Sequence, residues 1–344
     1  MRHILFLAIA ILLSGQTAFG QLPTIQLLQS GKSTNLRGLS SRNGKEIWVS
    51  GSNGWIGYSL DGGIHWNWHQ PAGFANRDFR DIAAINKGAA VITGIDTPAV
   101  ILKTVDKGKD WQLVYSNDSP GMFLDAVDFV DTLQGIVLGD PVGDPKDSRP
   151  FLARTKDGGN SWQTMAASFN TKIAAGEAFF AASGTNIHLL PNGSFIFPSG
   201  GTCANIWIHS GKEQQRGLVT KLPFRQAIPT SGPNGMDIKG KIIALVGGDY
   251  TKPGQGDSCF AISYDGGKHW QDQHALPGYG SSVAIIDPRK IIACGLHGVW
   301  LTLDGGKHWQ TIDKRPFNSL LYIPTTKKLY LAGPKGTIGL IDGL

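Results

Sequence analysis

Cysteine is nearly absent from this chain: Cys203, Cys259 and Cys294 are the three in 344 residues. So low a count excludes a disulfide scaffold, and an odd number leaves at least one thiol free. Cys203 and Cys259 stand at similar points of neighbouring repeats and could pair. Cys294 lies in the apolar stretch Ile291-Ile-Ala-Cys294 and reads as a small buried hydrophobe. Charge is sparse too, with 17% Asp, Glu, Lys and Arg, a formal net charge of +6, and no long basic run. A nucleic-acid partner is therefore not expected. No apolar run approaches the ~18 residues of a membrane-spanning helix. Phosphate loops, dinucleotide fingerprints, nucleophile elbows and zinc-protease helix motifs are all missing, so no cofactor and no metal are expected.

What is abundant is glycine, 46 residues, beside 18 Pro and 10 Trp. Without a collagen period, that composition points to a turn-rich all-β protein. At the N-terminus, Arg2 and His3 precede the apolar run Ile4–Leu13, and Ala18-Phe-Gly20 supplies small residues. Residues 1–20 read as a signal peptide cleaved after Gly20, which implies a secreted or periplasmic protein. Residues 21–344 are read as one domain.

One pattern recurs: Ser or Thr, any residue, Asp, any residue, Gly, two residues, Trp. It occurs around Asp61, Asp106, Asp157, Asp265 and Asp304, closing on Trp66, Trp111, Trp162, Trp270 and Trp309. The chemistry is that of a tight hairpin. Asp accepts N–H bonds from the turn, Gly takes the positive-φ position, and Trp folds back between sheets. These aspartates are assigned a structural role. A degenerate copy lies near Trp207-Ile-His-Ser210-Gly211, with Lys212 read at the aspartate position, and a last unit ends the chain. Seven units of about 46 residues have the size of four-stranded blades. The last unit lacks a fourth strand, while Thr24-Ile-Gln-Leu-Leu28 is an orphan strand at the other end. The fold expected is an all-β, single seven-bladed propeller of four-stranded antiparallel blades, its ring closed by the N-terminal strand.

The repeated turns occupy one face, so candidate sites belong on the other, around the channel mouth. Residues entering the first strand of each blade include Arg37, Arg80, Asp125, Glu177, Arg225, Asn234 and Asn318. Those leaving the second include Asn53, Asp96, Asp140, Asp249 with Tyr250, and His297. Charges converging there are costly unless they pair with one another or with a ligand. The alternatives are salt bridges that seal the channel and a ligand-binding mouth. Asp140, Asp144 and Asp147 share a long loop, but without the alternating oxygens of a calcium site. In blade four, Ser183 and Thr185 read as strand residues facing the channel or as ligand contacts, and Asn186 as a turn former or contact.

The five copies resemble the Asp-box of sialidase-like propellers. The mature chain resembles exported bacterial Asp-box propellers related to the photosystem II stability and assembly factors. That resemblance rests on Ala126-Val-Asp-Phe-Val-Asp131-Thr-Leu-Gln-Gly135-Ile-Val-Leu-Gly139 followed by Thr155-Lys-Asp-Gly-Gly-Asn-Ser-Trp162. It implies a non-catalytic scaffold that holds a protein or cell-envelope component, with Arg37, Arg80 and Arg225 as the arginines of the contact surface. A monomer is expected. The alternative is a sialidase-like glycoside hydrolase or glycan-binding protein. Asp140, Glu177, Asp249 and Tyr250 would then be the candidate catalytic groups, although the Arg-Ile-Pro signature of sialidases is missing.

Overall fold

A computed structural model describes residues 22–142, 148–165, 169–180, 182–212, 214–271 and 275–344. The proposed signal peptide, and Asp144 and Asp147 of the long loop, lie outside the described residues. Seven antiparallel sheets follow one another around a ring. In blade two the strands are Phe79–Asn86, Ala89–Gly94, Ala99–Thr104 and Gln112–Asn117, here lettered A to D. The A strands of neighbouring blades approach one another and line the central channel.

Blade seven is built from both ends of the described chain. Its strands Ser319–Ile323, Lys328–Ala332 and Ile338–Asp342 are completed by Gln26–Leu28, which pairs antiparallel with the last of them. The register sets Gln26 opposite Leu340 and Leu28 opposite Ile338. Ring closure thus removes the open edge that a lone three-stranded blade would present. Two blades depart from the pattern. In blade five a single bridge, Ile262 to Gln271, stands where the fourth strand begins. In blade four the A strand is split into Glu177–Ala178 and His188–Leu189, both paired with Phe195–Gly201.

The core consists of seams between blades. Blades one and two meet over Trp48, Ile56, Phe79, Ile92 and Leu102, while five and six meet over Val246, Phe260, Ile285, Ile291 and Trp300. Each fully buried side chain of this size contributes roughly 1.5–3 kcal/mol. The repeat tryptophans serve the seams as well. Trp111 meets Trp48 of the preceding blade edge-on at 6.1 Å, and Trp309 meets Phe260 at 5.1 Å.

Every complete repeat turn has the same geometry. In the last one, Asp304 Oδ1 accepts from the Thr302 hydroxyl and from the N–H groups of Lys307 and His308, at 2.8–3.0 Å. Thr302 Oγ1 in turn accepts from Gly306 N–H, and Gly305 and Gly306 both take positive φ. The turn also bonds its own blade's A–B turn: Gly62 N–H donates to Lys45 O, Gly266 to Lys241 O, and Gly305 to Arg289 O. Both turn sets therefore share one face. In blade four, His209 ends strand C where the five blades with a complete repeat turn have Ser or Thr. Gly211, and not Lys212, consequently occupies the aspartate register, and its N–H donates to His209 Nδ1.

A second set of contacts ties the A strands together. Asp81 accepts from Val127 N–H, Asp128 from Leu189 N–H, and Asp237 from Ile285 N–H, each at 2.7 Å and each in the next blade. Ser40 does the same for Ala84 at 2.9 Å. These groups satisfy inward-facing N–H donors that no strand pairs.

Candidate functional site

The channel is blocked partway. Between the two halves of the split A strand, Phe179, Phe180 and residues 182–187 leave the sheet and cross the lumen. Arg37 donates to Ala182 O at 3.2 Å, Met236 N–H donates to Thr185 O at 3.0 Å, and Gly184 abuts the Asp81 carboxylate. Ser183 and Thr185 bond each other through their hydroxyls, and Asn186 donates to Phe180 O. These three are loop residues of a plug, which corrects the strand reading of Ser183 and Thr185. The polar run has no apolar alternation to hold it in the sheet.

Gly184 has φ +71°, and an added Cβ would run into Asp81. Gly184→Ala is expected to cost about 1–2 kcal/mol from the left-handed backbone alone, and more from the displaced carboxylate. Urea unfolding checks this.

The plug separates two cavities. Away from the repeat turns lies one of about 550 Å³, and beneath the plug one of about 400 Å³. The upper cavity brings together Arg37, Arg80, Asp125, Asp140 and Tyr250 from four blades, with Phe123, Phe179, Phe180 and Tyr279 as walls. Arg80 lies over the Phe123 ring at 5.9 Å, and Phe180 meets Tyr250 edge-on at 6.0 Å.

Its electrostatics follow from burial. The Nε atoms of Arg37 and Arg80 are buried without a hydrogen-bond partner. Burial, with the Arg80 charge close by, lowers the Arg37 pKa to about 10. Arg80 reaches Asp78 at 3.7 Å, a pair at the mouth. Neither arginine is thus neutralised by Asp96, Asp140 or Asp249. Asp140 accepts from Phe179 N–H at 3.0 Å, and burial pushes its carboxyl up. Asp125 is fully buried with both oxygens unpartnered. Burial, then the Asp140 charge, raise it well above the usual carboxylate range, with Arg80 opposing.

Asp125 makes a pH prediction. Its folded carboxyl holds a proton at pH values where the unfolded one, with a pKa of about 3.9, has lost it. The native state then binds more protons, so this group lowers stability as pH rises above about 4. Asp125→Asn removes the penalty. The variant is expected to match the wild type near pH 3.5 and exceed it in urea unfolding at pH 8.

Of the other nominated residues, Asn234 and Asn318 also line the cavity, and the rest lie elsewhere. Glu177 is buried and accepts from Ala174 N–H, the Ser199 hydroxyl and the Asn205 amide, which tie it into blade four. Asp249 accepts from the hydroxyls of Thr230 and Thr251. Among the described residues no hydrogen bond joins Glu177 to Tyr250. Asp96 is exposed with φ 71°, Arg225 pairs with Asp257 at 3.5 Å, and His297 packs near Gly254; none of the three lines the cavity. Asn318 clasps Leu36 O across the closing seam, and Asn234 bonds Gly232 O within its blade. Cys203, Cys259 and Cys294 are all unpaired thiols. Burial pushes Cys259 up to about 12, so it is unreactive near neutrality.

The aromatic walls escaped the sequence reading. Their one available signal was the Phe179-Phe180 pair opening a polar run in the blade without an aspartate turn. Among the described residues no helix is long and apolar enough to cross a membrane, and no cluster of three or more His, Cys, Asp or Glu could hold a metal.

No protein-family model and no curated protein matches the chain. Solved structures do resemble it. One is titled YCF48 bound to D1 peptide, with a TM-score of 0.67 and 16% identity over 95% of this chain and 97% of that one. Another is YCF48 from Cyanidioschyzon merolae, with a TM-score of 0.65 and 14% identity over 93% and 99%. The chain is an all-β, seven-bladed propeller similar in fold to YCF48.

Proposed function

We propose that this protein is an exported, non-catalytic propeller that binds a carboxylate-bearing segment of a protein or envelope component in the mouth cavity. The observation that carries the reading is the pair Arg37 and Arg80. Two guanidiniums from adjacent blades line an aromatic cavity and keep buried Nε donors unpartnered. Guanidiniums recognise carboxylates through paired, charge-assisted hydrogen bonds, and low local dielectric strengthens them. Aromatic walls supply apolar contact around such an anchor. A protein segment as ligand accords with the D1 peptide on the similarly folded YCF48, and with the resemblance to photosystem II assembly factors.

A photo-crosslinking residue placed at Phe123, on Leu22–Leu344, tests the face. It is expected to capture a protein from envelope extract, whereas the same probe at Val105, on the turn face, captures none. Capture from Val105 alone would overturn the reading. Release of aglycone from aryl glycosides, lost in Asp140→Asn, would instead make the cavity that of a hydrolase.

A further inference from the structure

The turn face carries a feature that the turns themselves do not use. In each repeat turn the residue between the Ser or Thr and the Asp makes none of the bonds that hold the turn. A single exposed apolar residue is ordinary on a protein surface, but its recurrence at one position of a repeat is not. Here four of the five are Leu60, Val105, Tyr264 and Leu303, 46%, 71%, 40% and 52% exposed. Ile64, in the first turn, is 64% exposed as well. They stand as separate prongs on blade tips, not as the lining of a groove.

Over blades five to seven the same face is cationic. Lys241, Lys268, Arg289, Lys290, Lys307 and Lys327 lie on its turns, all exposed except Lys290, which is partly so. The carboxylates among them are turned to local tasks. Asp265 and Asp304 bind their own turns, Asp287 accepts from Arg289 and Lys290 N–H, and Asp342 pairs with Lys328 at 3.6 Å. The tips are also contiguous. Tyr264 of blade five lies against Gly305 of blade six, and the Tyr330 hydroxyl of blade seven donates to Gly44 O and Gly62 O of blade one.

We infer that the repeat-turn face docks on an anionic lipid bilayer, with the apolar prongs in the interface and the lysines and arginines over the headgroups. Spaced apolar tips among cations match an interface that is apolar below and negative above. A protein partner would call for a packed apolar patch or groove. This docking leaves the mouth, on the opposite face, open to the aqueous side, and it stands or falls independently of what the mouth binds.

The test is cosedimentation of Leu22–Leu344, which holds every blade and omits the apolar N-terminal run. The vesicles are phosphatidylcholine alone, or phosphatidylcholine with an equal part of phosphatidylglycerol. Binding is expected only to the anionic vesicles and is expected to weaken as salt rises. Each cation removed should cost about fivefold, so K268Q/R289Q/K307Q should bind about 100-fold more weakly. L60S/L303S should also weaken binding, and at every salt concentration. Circular dichroism of both variants checks that the fold is retained. No sedimentation with anionic vesicles at low salt, or equal binding by the triple variant, would overturn the inference. Wild-type affinity in L60S/L303S, with equally tight binding to soluble polyglutamate, would overturn the lipid assignment and leave a surface for acidic polymers.

Discussion

Asp81→Ala is expected to destabilise the propeller by about 4 kcal/mol. The carboxylate is 4% exposed and accepts two backbone N–H bonds, from Ile82 in its own strand and Val127 in the next blade, both at 2.7 Å. Removing it leaves two buried donors unpaired at roughly 1–3 kcal/mol each. Asp81→Asn is no rescue, because its amide N–H₂ would face one of those donors. Guanidinium unfolding measures the change, and a loss below about 0.5 kcal/mol for the alanine variant would contradict the role assigned to this clasp. The effect is large because the A strands are the inner edges of seven separate sheets. Among the described residues no strand ladder joins one A strand to the next, so side chains and the plug tie them together.

The double variant R37Q/R80Q should lose at least about 100-fold in affinity for the mouth ligand while keeping its fold. Truncating one side of a desolvated, hydrogen-bonded charge pair costs about 2–5 kcal/mol, and 1.4 kcal/mol is tenfold. Arg37 makes one bond to the plug, at Ala182 O, and Arg80 makes a loose pair with Asp78. Neither anchors a seam, so the midpoint of unfolding should move little. Titration calorimetry with the captured segment separates the two effects. A variant that unfolds would return both arginines to a sealing role. One that binds normally would remove them from the site.

Much of this architecture was legible because the repeat turns are chemically stereotyped. Asp, Gly and Trp at fixed offsets mark the C–D turn of five blades, and a missing last strand beside the orphan Thr24–Leu28 implies closure. The mouth residues Arg37, Arg80, Asp125, Asp140 and Tyr250 were legible through position alone, since each sits where a strand enters or leaves that face. Glu177 shared such a position but is drawn inward by Ser199 and Asn205, partners 22 and 28 residues away. Sequence spacing carries no trace of that network. The plug was hidden for a related reason. Its course is set by Arg37, Asp81 and Met236 from three other blades, and its own residues follow neither a helix nor a strand period. The clasps at Asp81, Asp128 and Asp237 look like ordinary alternation in a strand, and only the neighbouring blade reveals their partner.

The most direct measurement of the central claim is the affinity of the captured segment before and after its carboxylates are converted to amides. Recognition by Arg37 and Arg80 predicts a loss of at least about 100-fold, and no further loss when the amidated segment meets R37Q/R80Q. Equal affinity for the two forms of the segment would contradict it, and would leave the aromatic walls alone to account for binding.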